Sequence, residues 1–133
     1  MQLEVTSRVD AEQARREAHA LAVALGFSVQ GAAAVALAAV ELATNLLRYA
    51  RGGEIRISAI EGIRGKGMQL ESHDAGPGIA EIDRALQDGY STGGGLGGGL
   101  PAVRRLTDEF ELHTGPGGTH VVARKWLGER PRF

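Results

Sequence analysis

The chain has 133 residues, a net charge of −1 and no cysteine. That length suits one domain over residues 1–133 with a proper core, the charge offers nothing to nucleic acid or an anionic membrane surface, and the missing thiols exclude disulfides and thiolate chemistry. Met1-Gln-Leu-Glu-Val5 has no basic region ahead of an apolar one, and the longest apolar run, Ala32 to Val40, is too short to span a bilayer, so a soluble, cytoplasmic protein is expected.

In chain order, Leu3, Val5 and Ser7 alternate with polar neighbours and predict a short strand. Asp10-Ala-Glu-Gln13 reads as a capping box. Ala14, Ala18, Leu21 and Leu25 then recur at helical spacing, and Gly26 sits where a helix stops. A second helix is expected from Ser28 or Val29 to about Ala50. Val35, Ala39, Leu42 and Leu46 form its core face, while Glu41, Asn45 and Arg48, at i, i+4 and i+7, share another. Glu54 to Ile60 and Met68 to His73 alternate and predict a hairpin around the turn Gly62-Ile-Arg-Gly-Lys-Gly67. The second of these strands runs into Asp74-Ala-Gly-Pro-Gly78, a rigid turn that fixes a carboxylate at a strand end. Ile79 to Asp88 reads as a short helix, Pro101 to Asp108 as another, and Phe110, Leu112 and Thr114 as a strand. Gly115-Pro-Gly-Gly118 is a turn before a last strand, Thr119 to Trp126. The expected fold class is α/β, a two-layer sandwich with helices on one face of a mostly antiparallel sheet.

Between the weak helix and Pro101 lies Gly89-Tyr-Ser-Thr-Gly-Gly-Gly-Leu-Gly-Gly-Gly99, seven glycines in eleven residues. Without Cβ atoms, its backbone N–H groups can converge on one point. Proline directly after it favours a helix start. A glycine loop entering a helix in this way suits a phosphate. Other readings fail on spacing. Gly93, Gly95 and Gly98 match G-x-G-x-x-G but follow no strand, so a dinucleotide-binding fold is not expected. No Gly-Lys-Ser/Thr closes a P-loop, no G-x-S-x-G marks a hydrolase elbow, and the four histidines lack metal-ligand spacing.

What remains is a nucleotide site assembled from separated segments. Asp74 can accept from an exocyclic amine and so prefer adenine, with Gly76 and Gly78 letting backbone lie against base or ribose. The Asn45 amide oxygen can ligate Mg²⁺, which takes oxygen ligands and phosphates. Glu41, one turn away, is placed to take a proton from an attacking hydroxyl, and Arg48 can offset phosphate charge.

At these residues the sequence resembles the GHKL ATPase superfamily, with its Bergerat fold. Glu41-Leu-Ala-Thr-Asn45 is similar to its N box, Asp74-Ala-Gly76-Pro-Gly78 to its D-x-G-x-G box, Gly93 to Gly99 to its second glycine box, and Gly118-Thr119 to its later Gly-Thr, all in family order. Within it the chain is most similar to single-domain anti-sigma-factor serine/threonine kinases, closest to the stressosome switch kinase of the RsbT type, through Asp88-Gly-Tyr-Ser-Thr-Gly93, Gly95 to Leu106 and Asp108-Glu-Phe110. The resemblance implies ATP and Mg²⁺ as cofactors and a lid over residues 80 to 98. It places Asn45, Arg48, Asp74, Gly76, Gly78, Ser91, Thr92, Gly93, Gly94, Gly95, Leu96, Gly97, Gly98, Gly99 and Thr119 around the nucleotide, with Asn45 on the metal and Glu41 as catalytic base. It further implies STAS-domain antagonist or scaffold proteins as substrates and a PP2C-type phosphatase or sigma factor as a further partner. Two other readings stay open at this point: a nucleotide-dependent binding module without kinase activity, and a detached histidine-kinase catalytic domain.

Overall fold

The computed structural model describes residues 1–76 and 99–128. Strand β1 (Gln2–Val5) leads into helices α1 (Arg8–Leu25) and α2 (Val29–Ala50). The hairpin β2 (Gly53–Gly62) and β3 (Gly65–Asp74) follows, and after the interval come α3 (Leu100–Leu106), β4 (Glu109–Gly115) and β5 (Gly118–Trp126). The expected helix over 79–88, the lid, Gly78, Ser91 to Gly98 and the tail from 129 lie outside the described residues.

The five strands form one sheet in the order β1-β2-β3-β5-β4, and every ladder in it is antiparallel. Period-2 patterning sends alternate side chains to opposite faces. Ile55, Ile57, Leu70, Val121 and Ala123 point into the core, where each is at most 2 % exposed. On the other face the register sets His73, His120 and His113 side by side across β3, β5 and β4. Among the described residues the helices cover the apolar face only, as expected for a two-layer sandwich.

The helix layer is built on small residues. Ala11, Ala14, Ala18 and Ala22 of α1 are buried, as are Ala32, Ala36, Ala38, Ala39 and Ala43 of α2, and the two helices pack along their length. Side chains this short let helix axes approach closely. Val35, Leu42 and Leu46 fill the deeper positions, as the periodicity required. Helix α2 is long and apolar enough to cross a membrane by length and composition alone (Val29–Arg48, mean hydropathy 1.4), yet 61 % of its apolar stretch is buried inside the fold.

Three local expectations are corrected. The cap of α1 is Ser7, not Asp10: its backbone is extended and its Oγ accepts from the Asp10 N–H. Asp10, three residues past the cap, turns back on the chain, and its Oδ2 accepts from the Thr6 N–H at 2.9 Å. The first strand therefore stops at Val5. Taking Asp10 as the cap placed the helix start three residues late, because Arg8 and Val9 face outward and add nothing to the apolar face. Since a serine cap contributes about 1 kcal/mol, Ser7→Ala is expected to lower the unfolding free energy by that amount in a urea melt.

The turn of the β2–β3 hairpin is only Ile63-Arg64. The ladder continues through Glu61↔Lys66 and Gly62↔Gly65, since backbone pairing needs no side chain and the glycine-rich flanks supply it. Helix α3 ends at Leu106, not Asp108. Thr107 is extended, and the Asp108 carboxylate instead accepts from the Trp126 N–H at 2.8 Å. At that same end of the sheet the Trp126 indole N–H donates to Glu109, and the Arg64 guanidinium lies 5.8 Å from the ring centroid.

Candidate functional site

The site is laid out along α2. Its N-terminal cap is the Ser28 hydroxyl, which accepts from the Gly31 N–H at 3.0 Å, and the helix runs unbroken to Ala50. Glu41 and Asn45 lie one turn apart, and both are buried, at 4 % and 6 % exposure. Arg48 follows on the same side and is half-buried.

A buried carboxylate is costly without donors. Glu41 has a backbone one: the Gly99 N–H donates to Oε2 at 2.9 Å, across 58 residues of sequence. Burial pushes the Glu41 carboxyl above its ordinary range, while the Gly99 N–H and the Arg48 charge pull it back in part. Gly99 is the N-cap of α3, with φ 63° and ψ −135°. A Cβ there would lie 3.4 Å from Arg48 Nη1. Glu41, Arg48 and the exit of the glycine-rich segment therefore converge.

The other end of the site is the end of the β3–β5 ladder, beside the last turn of α2. Asp74 closes β3, opposite Thr119 of β5. Its Oδ1 accepts from the Gly76 N–H at 2.9 Å and the Thr119 N–H at 3.3 Å, so the carboxylate is held by two backbone donors. Gly76 touches α2 directly: a Cβ on it would be 2.8 Å from the Cβ of Ala50. Thr119 is 4 % exposed, and its hydroxyl shares a 2.8 Å hydrogen bond with Thr114.

Sequence reasoning missed two parts of this arrangement. Thr114 carries no motif signal, and its part follows only from the β4–β5 register. Gly118 was read as a turn residue and as half of the Gly-Thr motif, without a structural task; its φ is 135° and a Cβ on it would lie 2.1 Å from the Asp74 carbonyl oxygen. The bare backbone there is what lets β5 approach Asp74. Of the expected site residues, Glu41, Asn45, Arg48 and Gly99 gather at one end and Asp74, Gly76 and Thr119 at the other. Gly78 and Ser91 to Gly98 fall outside the described residues.

A long core helix with an acid and an amide one turn apart, a strand-end aspartate held by two backbone N–H groups, and an antiparallel sheet beneath them make up a two-layer α/β sandwich. The chain belongs to the histidine kinase-like ATPase domain family, whose profile matches residues 5–125. It is 43 % identical over 119 residues to the serine/threonine-protein kinase RsbT of Bacillus subtilis (strain 168), covering 89 % of this chain and 90 % of that one. It is 30 % identical to the anti-sigma F factor of Thermoanaerobacter sp. (strain X514), over 96 % of this chain and 94 % of that one. Among solved structures, the RsbU and RsbW domains of Rv1364c from Mycobacterium tuberculosis share the fold with a TM-score of 0.65 at 18 % identity, over all of this chain and 34 % of that one. This chain thus spans about a third of that longer protein. The histidine kinase domain of the Erythrobacter litoralis EL346 blue-light activated kinase aligns with a TM-score of 0.51 at 24 % identity, over 74 % of this chain and 48 % of that one.

Proposed function

We propose that the protein is an ATP-dependent serine/threonine kinase of the GHKL type, a single kinase domain over residues 1–133, which phosphorylates STAS-domain proteins in the cytoplasm. Phosphorylation would release the kinase to engage a PP2C-type phosphatase or a sigma factor, so that it acts as a partner switch. The observation that carries this reading is the buried Glu41 carboxylate, 4 % exposed and held by a backbone donor, one turn from Asn45. A protein that only stored a nucleotide would have little use for a buried acid there, whereas a base for a substrate hydroxyl needs that position.

Adenine is assigned to the Asp74 end and the phosphates to the Glu41 end. Residues 41 and 50 are separated by roughly 14 Å along the axis of α2 at 1.5 Å per residue, a span suited to a nucleoside triphosphate. Asp74 Oδ2 would accept from the adenine amine, since Oδ1 is already engaged by Gly76 and Thr119. The buried Asn45 amide fits Mg²⁺, which keeps waters and substrate phosphates as co-ligands and needs few protein oxygens. That ion would neutralise charge on the triphosphate, and Arg48 would add to the neutralisation from the same helix face. Around the phosphates the glycine-rich segment, including Ser91, Thr92 and Gly93 to Gly98, would supply backbone donors.

The decisive experiment is incubation with labelled ATP and STAS-domain proteins, followed by phosphosite mapping. Label on a serine or threonine of the STAS protein is expected. A stable complex that never acquires label would leave a nucleotide-dependent binding module instead. For the base end, a hydrogen bond to a charged group contributes about 1.5–3 kcal/mol, so Asp74→Ala is expected to weaken ATP binding by roughly 10–150-fold in calorimetry. Unchanged affinity in Asp74→Ala would remove adenine from this end of the site.

A further inference from the structure

The hydrogen bond between Gly99 and Glu41 joins two parts of the chain that have separate tasks in the reading above. Gly99 ends the glycine-rich segment. Its carbonyl accepts from the Ala102 and Val103 N–H groups at 3.1 and 3.3 Å, so it also begins α3. Leu100, Pro101, Ala102 and Val103 are all buried, and α3 packs on α2. The donor facing Glu41 therefore belongs to a peptide anchored in the core. Its conformation, φ 63° with ψ −135°, is one that L side chains avoid. Only with glycine at 99 does the N–H turn toward α2 while the carbonyl starts the next helix.

A carboxylate acting as base must present one oxygen to the reacting hydroxyl, and misplacement by about 1 Å can cost on the order of 10²-fold. Glu41 Oε2 is engaged by Gly99, so Oε1 is the oxygen assigned to the substrate. We infer that Gly99 is a positioning residue for Glu41: its N–H fixes which carboxylate oxygen receives the proton and makes the exit of the glycine-rich segment and the base a single rigid unit. This rests on the kinase reading. In the step concerned, the substrate oxygen forms a bond to the γ-phosphorus and the bond from that phosphorus to the bridging oxygen of ADP breaks. The hydroxyl proton passes to Glu41 Oε1. Gly99 takes no part in bond making and acts only through the orientation of Glu41.

Two measurements test this on the full chain. The first is amide exchange at Gly99, followed by NMR. Glu41→Gln retains an acceptor oxygen and is expected to keep the Gly99 amide protected, while Glu41→Ala is expected to speed its exchange by about tenfold or more. Equal exchange in wild type and Glu41→Ala overturns the inference, whatever the enzyme does. The second is steady-state phosphoryl transfer by Gly99→Ala to a STAS-domain acceptor. A loss of kcat of roughly 10–100-fold, larger than any accompanying change in the acceptor KM or the nucleotide Kd, is expected for a lost orientation. A Gly99→Ala protein with wild-type kcat overturns the inference. If Gly99→Ala does not fold, the exchange comparison still decides. A wild type that phosphorylates no acceptor overturns the kinase reading and the catalytic half of this inference with it, whereas the exchange result separates that failure from a Gly99–Glu41 contact that is absent in solution.

Discussion

Glu41→Ala is expected to lose phosphoryl transfer by about 10²–10⁴-fold, the usual contribution of a general base, while binding ATP within a few-fold of wild type. The reason for the split is position. Glu41 is buried on α2 and held by Gly99, so its assigned task is to receive a proton and not to hold the ground-state phosphates. Paired calorimetry and phosphotransfer assays read the two quantities separately, and transfer at the wild-type rate would remove Glu41 from catalysis. Glu41→Gln is the sharper companion. It is expected to lose transfer to a similar extent and to melt higher than wild type near neutral pH. The sign follows from the raised carboxyl, whose cause is burial first, opposed by the Gly99 N–H and by Arg48. A carboxyl that titrates higher in the folded than in the unfolded chain binds more protons when folded, so stability falls as pH rises through that interval. The neutral amide escapes this cost. The difference between the two proteins should close as pH falls toward the ordinary glutamate value of 4.5, and melts across pH read it directly.

The second large effect is expected at a glycine with no catalytic group. Gly118→Ala should lower the unfolding free energy by about 2–5 kcal/mol, combining left-handed backbone strain of about 1–2 kcal/mol with an overpacking cost of about 1–3 kcal/mol. The added Cβ would meet the Asp74 carbonyl oxygen at 2.1 Å and the Ala75 Cα at 3.1 Å, both backbone atoms that cannot rotate aside. To make room, β5 must part from β3 where Thr119 donates to Asp74, so ATP affinity should fall with stability. Gly117→Ala, one residue earlier, has nothing within 4 Å of its Cβ and is expected to stay within about 0.5 kcal/mol of wild type. If denaturant melts of the two variants coincide, the close approach at Gly118 is not what holds this end of the sheet.

Much of the architecture was legible because it is written in local periodicity. The alanine and leucine spacing in α2 gave both its buried face and the Glu41–Asn45–Arg48 side, and Gly26 marked the end of α1 through its left-handed conformation, φ 97°. The strand alternation gave the hairpin. Strand order was not legible: β5 lies between β3 and β4, and no short window of sequence specifies which distant edge a strand will pair with. For the same reason the motifs named Gly99 and Thr119 as site residues but not as the donors that hold Glu41 and Asp74. Their donors, Gly99 and Thr119, are backbone N–H groups 58 and 45 residues away, and a backbone donor leaves no mark on residue type. Glycine was the one partial signal. Its density near 62–67 overstated the turn, while at 118 it marked a close approach that a turn reading concealed.

Trp126, the chain's one tryptophan, gives it a built-in optical gauge with a restricted field of view. It sits seven residues from Thr119 along β5, roughly 23 Å at 3.3 Å per residue, at the opposite end of the strand from Asp74. Its surroundings are Arg64, Glu109 and the Asp108 carboxylate on its backbone N–H, contacts that join the β2–β3 turn to the start of β4 and vanish when the sheet comes apart. Its emission should therefore follow unfolding of the sheet and stay nearly unresponsive to ATP at the far end. Stability and ligand occupancy can then be read in one cuvette without cross-talk, the first by intrinsic fluorescence and the second by a labelled nucleotide.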